Sequence, residues 1–88
     1  MAHLFLQPQH ISIEDQGTVY VPHIYGHERP DGTWEAWIEF TAAADDSLVL
    51  VTDRETTQPN RAAVEYWATG LEPVYYEGAF RRAVPLAR

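Results

Sequence analysis

Hydrophobic and polar residues alternate most strictly over residues 33–40. Trp34, Ala36, Ile38 and Phe40 fall on one side of an extended chain and Glu35, Trp37 and Glu39 on the other. That period of two predicts a half-buried β-strand at the middle of a sheet. Residues 18–26, rich in Val, Tyr and Ile, predict a second strand. Pro22 interrupts it, and a residue without an N–H belongs at a sheet edge or a bulge.

Between these segments lies Arg29-Pro30-Asp31-Gly32. Pro presets the first turn position, Asp tolerates the second, and Gly takes a left-handed conformation, which together predict a short bulged hairpin. If Arg29 faces Thr33, counting outward sets Ile24 opposite Ile38 and Gly26 opposite Ala36 on the core side. The other side then pairs Tyr25 with Trp37, His23 with Glu39 and His27 with Glu35, and a slip of one residue would invert every assignment.

Residues 42–47 contain Asp45-Asp46 and read as a turn into Leu48-Val49-Leu50-Val51-Thr52, a strand apolar on both sides. In a meander that strand is an uncovered edge, a template for another chain. From Pro59 a helix is expected, with Thr57 as its cap and Gly70 as its stop. Ala63, Val64, Tyr66, Trp67 and Leu71 share its predicted buried face, with Trp67 at the centre of the contact. Val74-Tyr75-Tyr76 suits a short last strand, and residues 78–84 one or two helical turns. Residues 1–17 read as a weakly structured arm or short strand, in which Ile11 and Ile13 alternate with Ser12 and Glu14. The expectation is one α+β domain over residues 1–88 with its core in 18–78. Its order is β-β-β-α-β: a three-stranded antiparallel meander with one main helix across one face, then a short C-terminal strand and a helical turn.

Composition narrows the function classes. A chain of 88 residues has a thin core, and with no Cys it has neither a disulfide nor a thiolate metal site or nucleophile. A net charge of −7 repels phosphate backbones, which makes nucleic-acid binding an unfavoured reading. Arg81, Arg82 and Arg88 form a locally basic C-terminal group that reads as a solvated helix face and tail. No apolar run approaches the ~20 residues of a membrane span, and the start lacks signal-peptide features, so a cytoplasmic location is the expectation.

Candidate chemistry concentrates on one strand face. His23 and His27 would share an ion on a helix, but on a strand they stand about 13 Å apart, so no metal is expected there. Glu35 and Glu39, or Asp53 and Glu55, are the carboxylate pairs available to an enzyme. None has a neighbour that would set an acid apart from a base. No catalytic residue and no cofactor is assigned. Tyr25 and Trp37, rimmed by His23, His27, Glu35 and Glu39, instead have the make-up of an interaction patch. Cover within the chain, by the Leu4-Phe5-Leu6 arm or by Val49 and Val51 as neighbours, is the competing reading.

Asp31-Gly32-Thr33-Trp34-Glu35-Ala36-Trp37, a third strand, then Thr56-Thr57 leading into Asn60-Arg61-Ala62-Ala63-Val64-Glu65 resembles the arrangement of HicB-like antitoxin domains. The resemblance covers residues 18–78. It implies three antiparallel strands, a helix across one face, a short last strand and a protein partner. The chain lacks the Pro-Gly-Cys type of loop common in that family, has Gln58-Pro59 where an acidic helix start is usual, and carries no appended DNA-binding segment.

The expected function is a non-enzymatic protein-interaction or regulatory module, antitoxin-like in one version. It would bind a protein or itself, as a homodimer, through the Trp37 face or the 48–52 edge. The alternative is a small-ligand-binding domain, or less favourably a small enzyme, using His23, His27, Glu35 and Glu39.

Overall fold

The structure is a computed structural model and describes residues 2–86. The described residues form seven strands and two helices: β1 (His3–Leu6), β2 (Ile13–Asp15), β3 (Thr18–Glu28), β4 (Trp34–Ala42), β5 (Asp45–Val51), β6 (Thr56–Gln58), α1 (Arg61–Thr69), α2 (Pro73–Arg82) and β7 (Val84–Pro85). All seven strands form one antiparallel sheet in the order β1-β3-β4-β5-β7, with β2 also beside β3 and β6 also beside β4. Both helices pack on the face that carries Ile24, Ala36, Ile38 and Phe40, all fully buried with Val64 of α1 and Tyr76 and Ala79 of α2. The shortest dimension is 19 Å. Layers spaced about 10 Å apart make that two layers thick, not three.

The central hairpin has the expected register, with Ile24 opposite Ile38, Tyr25 opposite Trp37 and His27 opposite Glu35. Its turn closes through Gly32 N–H donating to Arg29 O at 2.9 Å and Arg29 N–H to Thr33 O at 2.7 Å. Gly32 takes φ +89°, the left-handed value that L side chains resist. Asp31 Oδ1 accepts from the Thr33 amide and hydroxyl at 2.9 and 2.6 Å, and these bonds hold its carboxyl below the ordinary value.

Pro22 sits at a short unpaired stretch of edge, with no bulge in its ladder to β4. β1 pairs β3 at Ile24–Gly26 and β2 pairs it at Thr18–Tyr20, so Pro22 occupies the gap where β3 changes neighbours. A ladder that is interrupted there anyway tolerates a residue with no N–H. Of the two readings of residues 1–17, the short strand is the one found, twice, at β1 and β2, with residues 7–12 between them in no strand. Gln16 and Gly17, both at positive φ, make the turn that joins β2 to β3.

The far edge of β4 is shared by β5 and β6, which behave as one strand broken by residues 52–55. Thr52 N–H donates to Ile38 O at 3.0 Å, Thr52 Oγ1 accepts from Ile38 N–H at 3.1 Å, and Glu55 N–H donates to Ala36 O at 2.8 Å. The break keeps the β4 ladder bonded while the chain bulges. Thr57 thus belongs to a strand and is not a helix cap. Asn60 caps α1, its Oδ1 accepting from Ala63 N–H at 2.9 Å.

Three further expectations are corrected. Tyr66 is 84% exposed, because α1 seats Val64 and Ala68 on the sheet and residue 66 lies about 200° around the helix from Val64. Trp67 is half-buried and sets its ring edge-on to Tyr75 of α2 at 6.1 Å, bridging the helices instead of centring the contact with the sheet. Residues 74–76 are helical, not a strand. Pro73 opens α2 in its first turn, and Tyr76, Ala79, Phe80 and Ala83 recur at helical spacing toward the core. The C-terminal strand falls later, at β7, which pairs with Leu50 and Val51. The 48–52 edge is consequently occupied over half its length.

Candidate functional site: the open face of the sheet

Residues of odd number on β3 and β4 point away from both helices. Tyr25 and Trp37 are register partners on that side, and β1 adds Leu4 beside Tyr25 in the same row. Both aromatic residues are half-buried and Leu4 is 46% exposed. The N-terminal segment does not lie over Trp37. β1 joins the sheet edge-on, and its Phe5 and Leu6 turn to the core side, where Phe5 packs edge-to-face on Trp34 at 5.8 Å. Arg61 of α1 pins this strand, donating from Nη2 to His3 Nε2 at 2.6 Å with its guanidinium 5.9 Å from the Phe5 ring.

The polar residues around the aromatic pair are engaged in an ordered way. His27 Nε2 lies 2.9 Å from Glu35 Oε1, the cross-strand pair expected from the register. The His27 ring also meets Trp37 edge-on at 5.3 Å. On the other flank Trp37 Nε1–H donates to Glu39 Oε2 at 3.1 Å, so Glu39 bonds along its own strand. His23, its register partner, stacks on Tyr25 at 6.3 Å and 29°. The indole is held from two sides. Its N–H is satisfied by Glu39, its position is limited by His27, and no helix lies above it.

The face extends further than the expected patch. Val21 opposes Thr41, Thr41 opposes Val49, Glu39 opposes Val51, and Val51 opposes Val84 of β7. Val21 and Val49 thus flank Thr41 in one row, and Val51 and Val84 continue the His23–Glu39 row, so the valines spread over two rows beside the aromatic one. Leu86 N–H donates to Val49 O at 2.9 Å, and Val49 is 7% exposed. The signal for these valines was the pattern of residues 48–51, apolar on both faces.

The remaining candidates sit elsewhere. Glu55 is buried against α2, where its Oε1 accepts from Tyr75 O–H at 2.7 Å and from Arg82 Nη2. Burial, the bond to Glu55 and the negative charge of Glu55 push the Tyr75 phenol up to about 12. This is a clasp between the 52–55 bulge and α2, and Arg82 belongs to it. Asp53 is exposed, and Arg88 lies outside the described residues. An open cleft of about 760 Å³ is lined by Ile13, Leu50 and Phe80 with charged Glu14, Asp15, Glu77 and Arg81. None of the residues expected to form the patch lines it. Among the described residues, no group of three or more His, Asp or Glu is placed to hold a metal ion, and no helix is long and apolar enough to cross a membrane. Comparison with protein-family models, curated proteins and solved structures finds no match.

Proposed function

We propose that the chain is a non-enzymatic protein-interaction or regulatory module whose docking surface is the open face of the sheet, centred on Tyr25 and Trp37. One observation carries this reading: in a two-layer fold, the face opposite the helices presents the Leu4–Tyr25–Trp37 row, with Val21, Val51 and Val84 beside it, instead of a uniformly polar surface. Antiparallel sheets that face water on one side normally alternate apolar inward with polar outward. Aromatic anchors rimmed by His and Glu are the make-up of a binding patch. Toxin neutralisation, as the HicB-like arrangement implies, is one form of this function, with a toxin as the bound protein.

A small-ligand role for His23, His27, Glu35 and Glu39 is the weaker reading. His27 and Glu35 bond each other and Glu39 bonds Trp37, which leaves the four groups spread along strands instead of converging on one point.

The test compares Trp37→Ala with Tyr66→Ala, a change at an exposed aromatic on the helical side. Trp37→Ala should lower stability by about 1 kcal/mol, the scale of a cross-strand aromatic pair. It should also remove the stoichiometric partner captured by the tagged wild-type chain, while Tyr66→Ala retains it. Equal capture by both variants, or unfolding of Trp37→Ala, would refute the reading.

A further inference from the structure

We propose that the occupant of the open face is a second copy of this chain, packed sheet on sheet about a two-fold axis that runs along the strands between β3 and β4. This inference rests on the reading of that face as a docking surface and names what docks there.

The argument is a pattern of donors and acceptors. On the open side β3 presents His23, Tyr25 and His27, and β4 presents Glu39, Trp37 and Glu35 in the matching rows. One strand carries the bases and its neighbour the acids. A two-fold axis parallel to the strands and midway between them exchanges the two columns, so His23 faces Glu39 of the second copy, His27 faces its Glu35, and Tyr25 faces its Trp37. Every such contact occurs twice, as an isologous interface requires. His23 stacks on Tyr25 and has its ring N–H to offer to Glu39 of the second copy, which when ionised only accepts; His27, whose Nε2 lies 2.9 Å from its own Glu35, has Nδ1 for Glu35 of the second copy and donates there when the ring carries both protons. An axis perpendicular to the strands would set Glu on Glu and His on His, which like-charge repulsion disfavours.

Size agrees. Five strands about 4.8 Å apart, over about 30 Å of β3, give a footprint of roughly 700 Å². A stable dimer buries about 800 Å² per partner. Aligned sheets pack about 10 Å apart with strands within about 30° of each other, close enough to keep the facing rows in register over the central strands. The second layer of sheet would also cover Leu4, 46% exposed, and Val84, 58% exposed.

Sedimentation equilibrium of the whole chain, from micromolar to millimolar concentration, is the direct test. At physiological ionic strength a Debye length of about 8 Å screens the repulsion between copies. The mass should rise from 10.0 kDa toward twice that value. His23→Glu/His27→Glu makes both columns acidic, and His23→Lys/His27→Lys/Glu35→Lys/Glu39→Lys makes both basic. Each variant alone should stay monomeric where the wild type is dimeric, and an equimolar mixture should recover the dimer mass with one chain of each kind.

Because these variants disturb the contacts of His27 and Trp37, a second measurement uses the unaltered chain. On concentration, the NMR signal of the Trp37 indole N–H should shift while that of Trp67 stays fixed. A wild type that is monomeric throughout, dimerisation of either variant alone, or shifts centred on Trp67 would overturn the two-fold packing. Monomeric wild type with the Trp37-dependent capture intact would leave the docking face standing with a different protein on it. Loss of both would remove the face itself.

Discussion

The two faces of this sheet are built from the same strands and differ in what lies across them. On the helical face Ile24, Ala36, Ile38 and Phe40 are wholly removed from water, and Phe40 meets Phe80 of α2 edge-to-face at 5.2 Å. On the open face the alternate positions of the same strands hold Tyr25 and Trp37, half-buried by side chains of the sheet, His23, His27 and Glu39 among them. A side chain on the first face is fixed by a second layer. On the second it is fixed by cross-strand contacts, worth roughly 0.2 to 1 kcal/mol each. The helical face therefore holds the stability and the open face is free to carry recognition.

The sharpest break of this contrast is Phe40→Ala. Deleting a fully buried Phe forfeits its transfer energy and leaves a cavity against Phe80, so stability should fall by about 3 to 5 kcal/mol. For a domain of this size, whose total is about 5 to 13 kcal/mol, that is a large share. Urea denaturation should show a midpoint shift several times that of Trp37→Ala. Equal shifts for the two variants would mean that the open face is as tightly held as the core and would end the division of labour.

Gly26→Ala comes next. A Cβ at residue 26 would stand 2.6 Å from the Glu35 carbonyl oxygen and 2.9 Å from the Phe5 ring. Phe5 has taken the place of a side chain there, and the backbone oxygen cannot give way without moving β4. The expected cost is about 1 to 3 kcal/mol, with faster amide exchange in β1 ahead of the rest of the sheet. Unchanged exchange in β1 would show that Phe5 does not depend on the missing side chain.

The same contrast explains what could be read from the chain. The central hairpin was legible because turn chemistry at residues 29–32 sets the register locally and alternation checks it independently. Both agree with the ladder from Glu28 opposite Trp34 outward. The aromatic pair and the His27–Glu35 contact followed by counting. Residues 74–76 misled because Val-Tyr-Tyr favours strands locally, whereas the burial of Tyr76 and Ala79 under the sheet is decided by tertiary packing. β6 was missed for a related reason: Thr56–Gln58 has no apolar alternation and is held in the sheet by the bulge before it. Val49 and Val51 were legible as neighbours of the aromatic face, and the register places both on it, but Val84 of β7 was not, since nothing in residues 48–52 says which later segment pairs there.

The smallest expected effect lies at the clasp that ties α2 to the sheet, and it sharpens the comparison through pH. Tyr75 donates to Glu55 Oε1, which Arg82 also approaches, and the fold raises the Tyr75 phenol from 10.0 to about 12, chiefly by burial and then by its bond to the Glu55 carboxylate. Because the folded value lies above the unfolded one, the neutral phenol stabilises the fold fully below about pH 10, and that contribution is lost as pH rises through about 12. Burial raises Tyr76 in the same direction. Tyr75→Phe should cost about 1 kcal/mol at neutral pH, since Glu55 keeps Arg82. It should also make the loss of stability between about pH 10 and 12 shallower by up to one proton, with the Tyr76 contribution remaining. Both Tyr75 and Tyr76 lie on α2, so this alkaline loss reports on the helical side. Urea denaturation across that pH range reads the difference, and a Tyr75→Phe curve parallel to that of the wild type would show that the clasp does not hold the helical layer in place.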